Sequence, residues 1–218
     1  HGNTKPRVFK LDDDHAILNR IGLSSQGFER VISNIREGNK GVVIGCNIGK
    51  NSATEPENAP QDYLRVFRNL YQYADYFTVN IACNTAEATY VPRDRDEIMA
   101  ILTPLFEFRR GQNQYRPILL KISPDLTQEE LDTVIDILIE TPLDGIEAVA
   151  GSLDLMPEYK GAATGALLTK RAIEVVRYIA ERTEHNYPII GSGGAINPED
   201  IEALMEAGAS LVALNSGI

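Results

Sequence analysis

The sequence predicts an α/β protein whose parallel strands close into a (β/α)8 TIM barrel. Three observations carry that expectation. Short β-branched runs alternate with amphipathic stretches along the chain, the pattern of a parallel sheet with helical crossovers. The runs are almost continuously apolar, as strands covered on both faces must be. Polar residues and glycines gather where the runs end, and a barrel builds its site on that rim.

The elements follow in order. QGFERVISNIREG (26–38) reads as a helix and GVVIGCNIG (41–49) as the first strand. QDYLRVFRNLYQYA (61–74) has apolar residues at helical spacing and leads into YFTVNIAC (76–83). RDEIMAILTPLFEFRR (95–110) precedes the strand PILLKIS (117–123). TQEELDTVIDILIE (127–140) opens on Thr127 with Glu130 three residues later, the signature of a capping box. GIEAVAG (145–151) is the fourth strand, and TKRAIEVVRYIAERT (169–183) is the helix before YPIIGSGG (187–194). NPEDIEALMEAGA (197–209) takes Asn197 as its cap, Pro198 at its first position and Gly208 as its stop. SLVALNSG (210–217) is the last strand.

That makes six strands where a barrel has eight, in a chain of 218 residues where barrels run to about 250. The expectation is one barrel domain over 1–218, incomplete on the N-terminal side and open at its C-terminal end too. An open doubly wound sheet is the competing architecture. No GxGxxG opens the first strand–helix turn, which weighs against a dinucleotide-binding version of it.

A net charge of −10 argues against nucleic acid or an anionic membrane as the main partner. Cys46 and Cys83 form neither a disulfide framework nor a metal-binding spacing, so a reducing, cytoplasmic setting is expected and no metal is. No apolar stretch reaches the roughly 20 residues of a membrane span. The polar start HGNTKPRVFKLDDD shows no signal peptide.

Several residues are placed to carry chemistry. In GSGG, Gly193 and Gly194 stand either for a phosphate-cradling turn or for a turn that simply needs positive φ. Ser216 and Gly217 follow the neighbouring strand, and GAATGALL (161–168) is a second glycine–small segment. Two adjacent strand ends of this kind match the phosphate site common in barrels. Lys121, inside PILLKISPD, must either meet a carboxylate, Asp125 being the nearest in sequence, or face an electron-rich ligand atom. Asn47 and Asn80 occupy like strand-end positions, and their amides suit a flat heterocycle with alternating donors and acceptors. Cys83 at a strand exit is either a small buried hydrophobe or a base. His15 and His185 lie in polar loop contexts and receive no role.

KPRVFKL, ILNRIGLSSQG, CNIGKN, DYFTVNIACNT, ILLKISPDLT, GSGG and AGASLVALNSG, in this order, make the chain resemble the dihydroorotate dehydrogenase family, closest to its class 2, quinone-reducing branch. The resemblance spans nearly the whole chain. It implies a (β/α)8 barrel that binds FMN at its C-terminal rim and oxidises dihydroorotate to orotate in pyrimidine biosynthesis. It also implies a quinone as acceptor and, in a full-length form, attachment to the periphery of the inner membrane. By the same resemblance Cys83 falls on the base, where class 2 usually has Ser. Asn19, Asn80 and Asn84 fall on substrate ligands. Asn47, Asn80 and Lys121 fall on flavin-ring ligands. Gly165, Gly193, Gly194 and Ser216 fall on the phosphate site, and Asn215 stands where the family usually has an aromatic residue. The six strands correspond to the family's third to eighth.

Two departures stand out. The proline that follows the family's base is missing after Cys83, and the family's Thr-Asn-Thr on the sixth strand reads Val149, Ala150, Gly151. An eroded pocket keeps a second expectation in view: a repurposed, non-catalytic barrel fragment acting as an interaction module. Two unpaired barrel edges would also favour self-association.

Overall fold

The computed structural model describes residues 2–11, 15–38, 41–82, 91–156, 158 and 161–215. Two strands come first, β1 (Val8–Leu11) and β2 (Ala16–Asn19), then helix α1 (Phe28–Glu37). Next are β3 (Gly45–Ile48), α2 (Ala59–Leu70), β4 (Tyr76–Asn80), α3 (Arg95–Arg110) and β5 (Ile118–Ile122). Then follow α4 (Gln128–Glu140), β6 (Gly145–Ala148), β7 (Ala162–Gly165), α5 (Thr169–Arg182), β8 (Ile189–Ser192), α6 (Pro198–Glu206) and β9 (Leu211–Ala213). Six of the strands pair in parallel in the order β3-β4-β5-β6-β8-β9. Laid flat, that sheet would hold its outer strands about 24 Å apart. Asn47 on β3 and Ala213 on β9 nevertheless line one cleft, so the sheet curls into part of a barrel.

Side-chain alternation assigns each strand two faces. Cys46 and Ile48, Phe77 and Val79, Ile118, Leu120 and Ile122, and Ile146 and Ala148 belong to the core beneath the helices. Asn47, Asn80, Lys121 and Glu147 alternate with them and face the concave side. Phe67 of α2 and Tyr71 just beyond its end meet the strand residue Phe77 and the α3 residue Phe108. Phe67 and Phe77 stack at a tilt with ring centroids 4.4 Å apart.

The helix signals act as their chemistry requires. Thr127 Oγ1 accepts from Glu130 N at 3.2 Å, and Glu130 Oε2 accepts from Thr127 N at 2.7 Å. Asn197 and Asp200 make the same reciprocal pair at the start of α6. Gly208 ends that helix at φ +112, where an added Cβ would stand 2.4 Å from Ala180 Cβ.

Three features differ from the sequence expectation. The strand expected over 41–49 is β3 and begins at Gly45, and Val42 and Val43 are 60% and 76% exposed. Among the described residues β3 has a single neighbour, β4, and the ladder starts only at Gly45↔Tyr76, so nothing covers the two valines. β1 and β2 form a hairpin, although no strand was expected before residue 41. β2 then pairs antiparallel with β7, inside the glycine–small segment 161–168. These strands are short and mixed in polarity, and their partner lies 147 residues away at Ile17–Thr164, so local periodicity gives no warning of them. Gly165, at φ +94, lets the two backbones close: its Cβ would come within 2.6 Å of the His15 carbonyl oxygen.

A polar clamp fixes the strand starts. The buried Arg109 side chain forms an ion pair with Asp144 and donates to the Pro142 carbonyl. Asp144 in turn accepts from Ile118 N at 2.8 Å and from the Tyr115 hydroxyl. Removing one partner of such a pair leaves a buried charge uncompensated. Arg109→Ala is therefore expected to cost about 3 kcal/mol of stability. Urea denaturation of the 218-residue chain checks this, and an unmoved midpoint would remove the clamp from the account.

Candidate functional site at the strand ends

The C-terminal ends of the parallel strands open into a cleft of roughly 450 Å³. One row of the sheet builds its floor. Asn80 registers with Lys121, Lys121 with Glu147, and Glu147 with Ile190. Residues level across a parallel sheet project to the same side, so Asn80, Lys121 and Glu147 stand side by side.

Each is held in place. Asn80 is buried, its side-chain oxygen accepts from Ala82 N at 3.0 Å, and its backbone carbonyl accepts from the Tyr63 hydroxyl at 2.7 Å. Lys121 Nζ forms an ion pair with Glu147, and the two side chains are 18% and 12% exposed. The carboxylate that meets Lys121 is thus Glu147 and not Asp125, the sequence neighbour. Asp125 is occupied across the β6–β7 connection, where it accepts from Ser152 Oγ and from Leu153 N. Lys50 turns into its own loop and donates to the Asn51 and Thr54 carbonyls.

The far end of the cleft is built from backbone. Gly193 and Gly194 follow β8 at φ +94 and +81. A Cβ on Gly194 would stand 2.4 Å from Thr169 N, and Thr169 Oγ1 donates to the Gly194 carbonyl at 2.7 Å. The glycine turn is therefore pressed against the first residue of α5, a helix start with no side-chain cap. The positive end of the helix dipole favours an anion there, while the Thr169 N–H itself donates to the Ala166 carbonyl. Ser192, just before the turn, is buried and donates to the Val149 carbonyl at 2.8 Å.

Eight of the residues singled out in the sequence line this one cleft: Asn19, Asn47, Asn80, Lys121, Gly165, Gly193, Gly194 and Asn215. Cys83, Asn84 and Ser216 lie outside the described residues. Val149, Ala150 and Gly151 form one wall, so that wall offers no side-chain hydrogen-bond donor. Sequence reasoning missed Glu147 and Thr164. Glu147 carried the same signal as Lys121, a charge inside an apolar strand run. Thr164 carried none, because its strand was not foreseen. Among the described residues no group of His, Cys, Asp and Glu could hold a metal ion.

The family model described as dihydroorotate dehydrogenase matches residues 1–218. A dihydroorotate dehydrogenase (quinone) from Christiangramia forsetii is 40% identical over 222 residues, which take in 99% of this chain and 65% of that protein. One from Nitrosomonas europaea is 33% identical over 228 residues, covering 100% of this chain and 67% of its own length. Among solved structures, ligand-free dihydroorotate dehydrogenase from Eimeria tenella superposes with a TM-score of 0.90 at 26% identity, covering all of this chain and 68% of that one. The chain thus spans about two thirds of the length of these relatives.

Cys46, next to Asn47 on β3, faces the core instead of the cleft. Burial, with a smaller contribution from the Asp75 carboxylate, pushes its thiol from 9.0 up to about 11. A raised value favours the protonated form in the folded chain. The stability it confers is full below the unfolded value and is lost as pH rises through about 11. Iodoacetamide at pH 8 is expected to leave Cys46 unlabelled until the chain unfolds, as peptide mass mapping would show. Rapid labelling of the folded chain would contradict that burial.

Proposed function

The chain belongs to the dihydroorotate dehydrogenase family, and on that premise we propose that its cleft serves the FMN-dependent oxidation of dihydroorotate to orotate, a step of pyrimidine biosynthesis, with a quinone as electron acceptor. One observation carries the reading: four amides, a lysine and a glycine turn at a helix start, drawn from separate strand ends, line a single cleft. On this reading the reaction takes place in the cytoplasm, at the inner membrane surface in a full-length form. No described helix is long and apolar enough to cross a membrane.

The residues present fit a flavin mononucleotide. The bare backbone of Gly193 and Gly194, both at positive φ in the cleft lining, suits a phosphate. Gly165 and Asn215 line the cleft as well, and on this reading they and Ser216 would complete that end. Asn47, Asn80 and Lys121 offer the mixture of amide and cationic donors that a heteroaromatic ring edge needs. When bound, the flavin supplies the two-electron acceptor. The protein's own share is binding and proton transfer. Asn19, Asn80 and Asn84 would hold the dihydropyrimidine through its amide and carbonyl groups. Cys83, as thiolate, would take the C5 proton and become a thiol.

One observation favours a second reading. The wall at 149–151 presents no side-chain donor, which suits a repurposed module that binds without turnover. The two outer strands bear on this as well. Among the described residues β3 and β9 each pair on one side only, and Leu211 and Leu214 are exposed near β9 as Val42 and Val43 are near β3. Apolar, half-paired edges invite association with another chain. Self-association of the chain is part of the proposal.

The visible spectrum after addition of FMN and desalting is the test. A retained flavin band, bleached by dihydroorotate, is expected; a colourless protein would overturn the flavin reading and favour the second. Cys83→Ala should cut bleaching by about a hundredfold or more yet keep the flavin, and undiminished bleaching removes Cys83 from the reaction. Lys121→Ala should weaken FMN retention by about tenfold or more, and unchanged retention removes its role. Sedimentation at micromolar concentration is expected to show dimers or larger species, and a clean monomer counts against self-association.

A further inference from the structure

Glu147 plays no part in the reading above, yet it helps form the floor of the same cleft. Among the described lining residues only Lys121 and Glu147 are charged. Register sets them level on β5 and β6, and their largely buried side chains form an ion pair. Asn80 on the other side of Lys121 is neutral, and the wall beyond Glu147 is Val149 and Ala150. No other described group in the cleft offsets the lysine's charge. An ion pair is also an unusual choice for holding strands together, because apolar residues of similar volume stabilise such a site at least as well.

We propose that Glu147 is a positioning residue that fixes the Lys121 ammonium at the cleft floor and cancels its charge, so that the site prefers a neutral ring edge to an anionic one. The inference rests on the flavin reading and deepens it. A ligand atom facing Lys121 must share the ammonium's three donors with Glu147. Negative charge arriving there meets a carboxylate in a partly desolvated place, where like charges repel strongly. Flavin gains negative charge on its pyrimidine edge when it takes up two electrons. A lone lysine would favour that reduced form; the Lys121–Glu147 pair gives up that preference and holds the cofactor's midpoint potential down.

The test compares the 218-residue chain with its Glu147→Gln variant. Glutamine keeps the shape of the side chain and an acceptor for Lys121 while removing the charge. Dissociation constants are measured for oxidised FMN and, anaerobically, for dithionite-reduced FMN. Glu147→Gln is expected to shift the ratio of the two about tenfold toward the reduced form, equal to a rise of about 30 mV for a two-electron couple. Glu147→Asp, which restores the charge, returns the ratio to that of the unsubstituted chain. A second comparison leaves no ammonium unpaired: adding Glu147→Gln to Lys121→Met should move the ratio in the same direction. An unchanged ratio in both comparisons, with FMN retained, overturns the role of Glu147 and leaves the flavin reading standing. An unsubstituted chain that holds neither form of FMN overturns the flavin reading and this inference together.

Discussion

The parallel register of β4, β5 and β6 is the constraint on which the site depends. It sets Asn80, Lys121 and Glu147 level with one another, and the pleat turns all three to the concave side. A slip of one residue in β5 would send Lys121 into the helix-covered core and bring Leu120 or Ile122 to the cleft. The outer face forbids that slip, since Ile118, Leu120 and Ile122 are fully buried beneath the helices. Apolar packing on one face therefore fixes the polar geometry on the other.

The two ends of the sheet divide the work. At the strand starts, Arg109, Asp144 and the Pro142 carbonyl form a closed polar clamp with Ile118 N. At the strand ends stand amides, glycines and the start of α5. Rigidity at one end lets the other end be built from polar groups and backbone at close quarters, as a binding site requires. The β1–β2 hairpin serves the site too: by pairing with β7 it brings Asn19 to the cleft rim, far from the rest of the lining in sequence.

The charge balance of the cleft rests on one ion pair. Lys121 supplies the one positive group among the described lining residues, and Glu147 answers it. The neighbouring wall at Val149 to Gly151 presents no polar side chain, so a ligand meets chiefly the Lys121–Glu147 pair and the four asparagines Asn19, Asn47, Asn80 and Asn215. Selectivity in such a site comes from where charge is withheld as much as from where it is offered.

By itself the sequence determined the alternation of strands and helices, the capping box at Thr127, the cap at Asn197, and the turns at Gly193 and Gly194. Each rests on spacing within a few residues, and local chemistry is sufficient for it. It also marked Asn47, Asn80 and Lys121 as polar groups at odds with apolar runs, and those residues line the cleft. Tertiary structure alone decided the partners. Lys121 meets Glu147 on the next strand, 26 residues on, and not Asp125 four residues on. β2 meets β7 across most of the chain, and Val42 and Val43 are exposed because β3 lacks a second neighbour among the described residues. A sequence records the period of each element, but pairing and register arise only when distant elements compete for the same core, and that competition has no local signature.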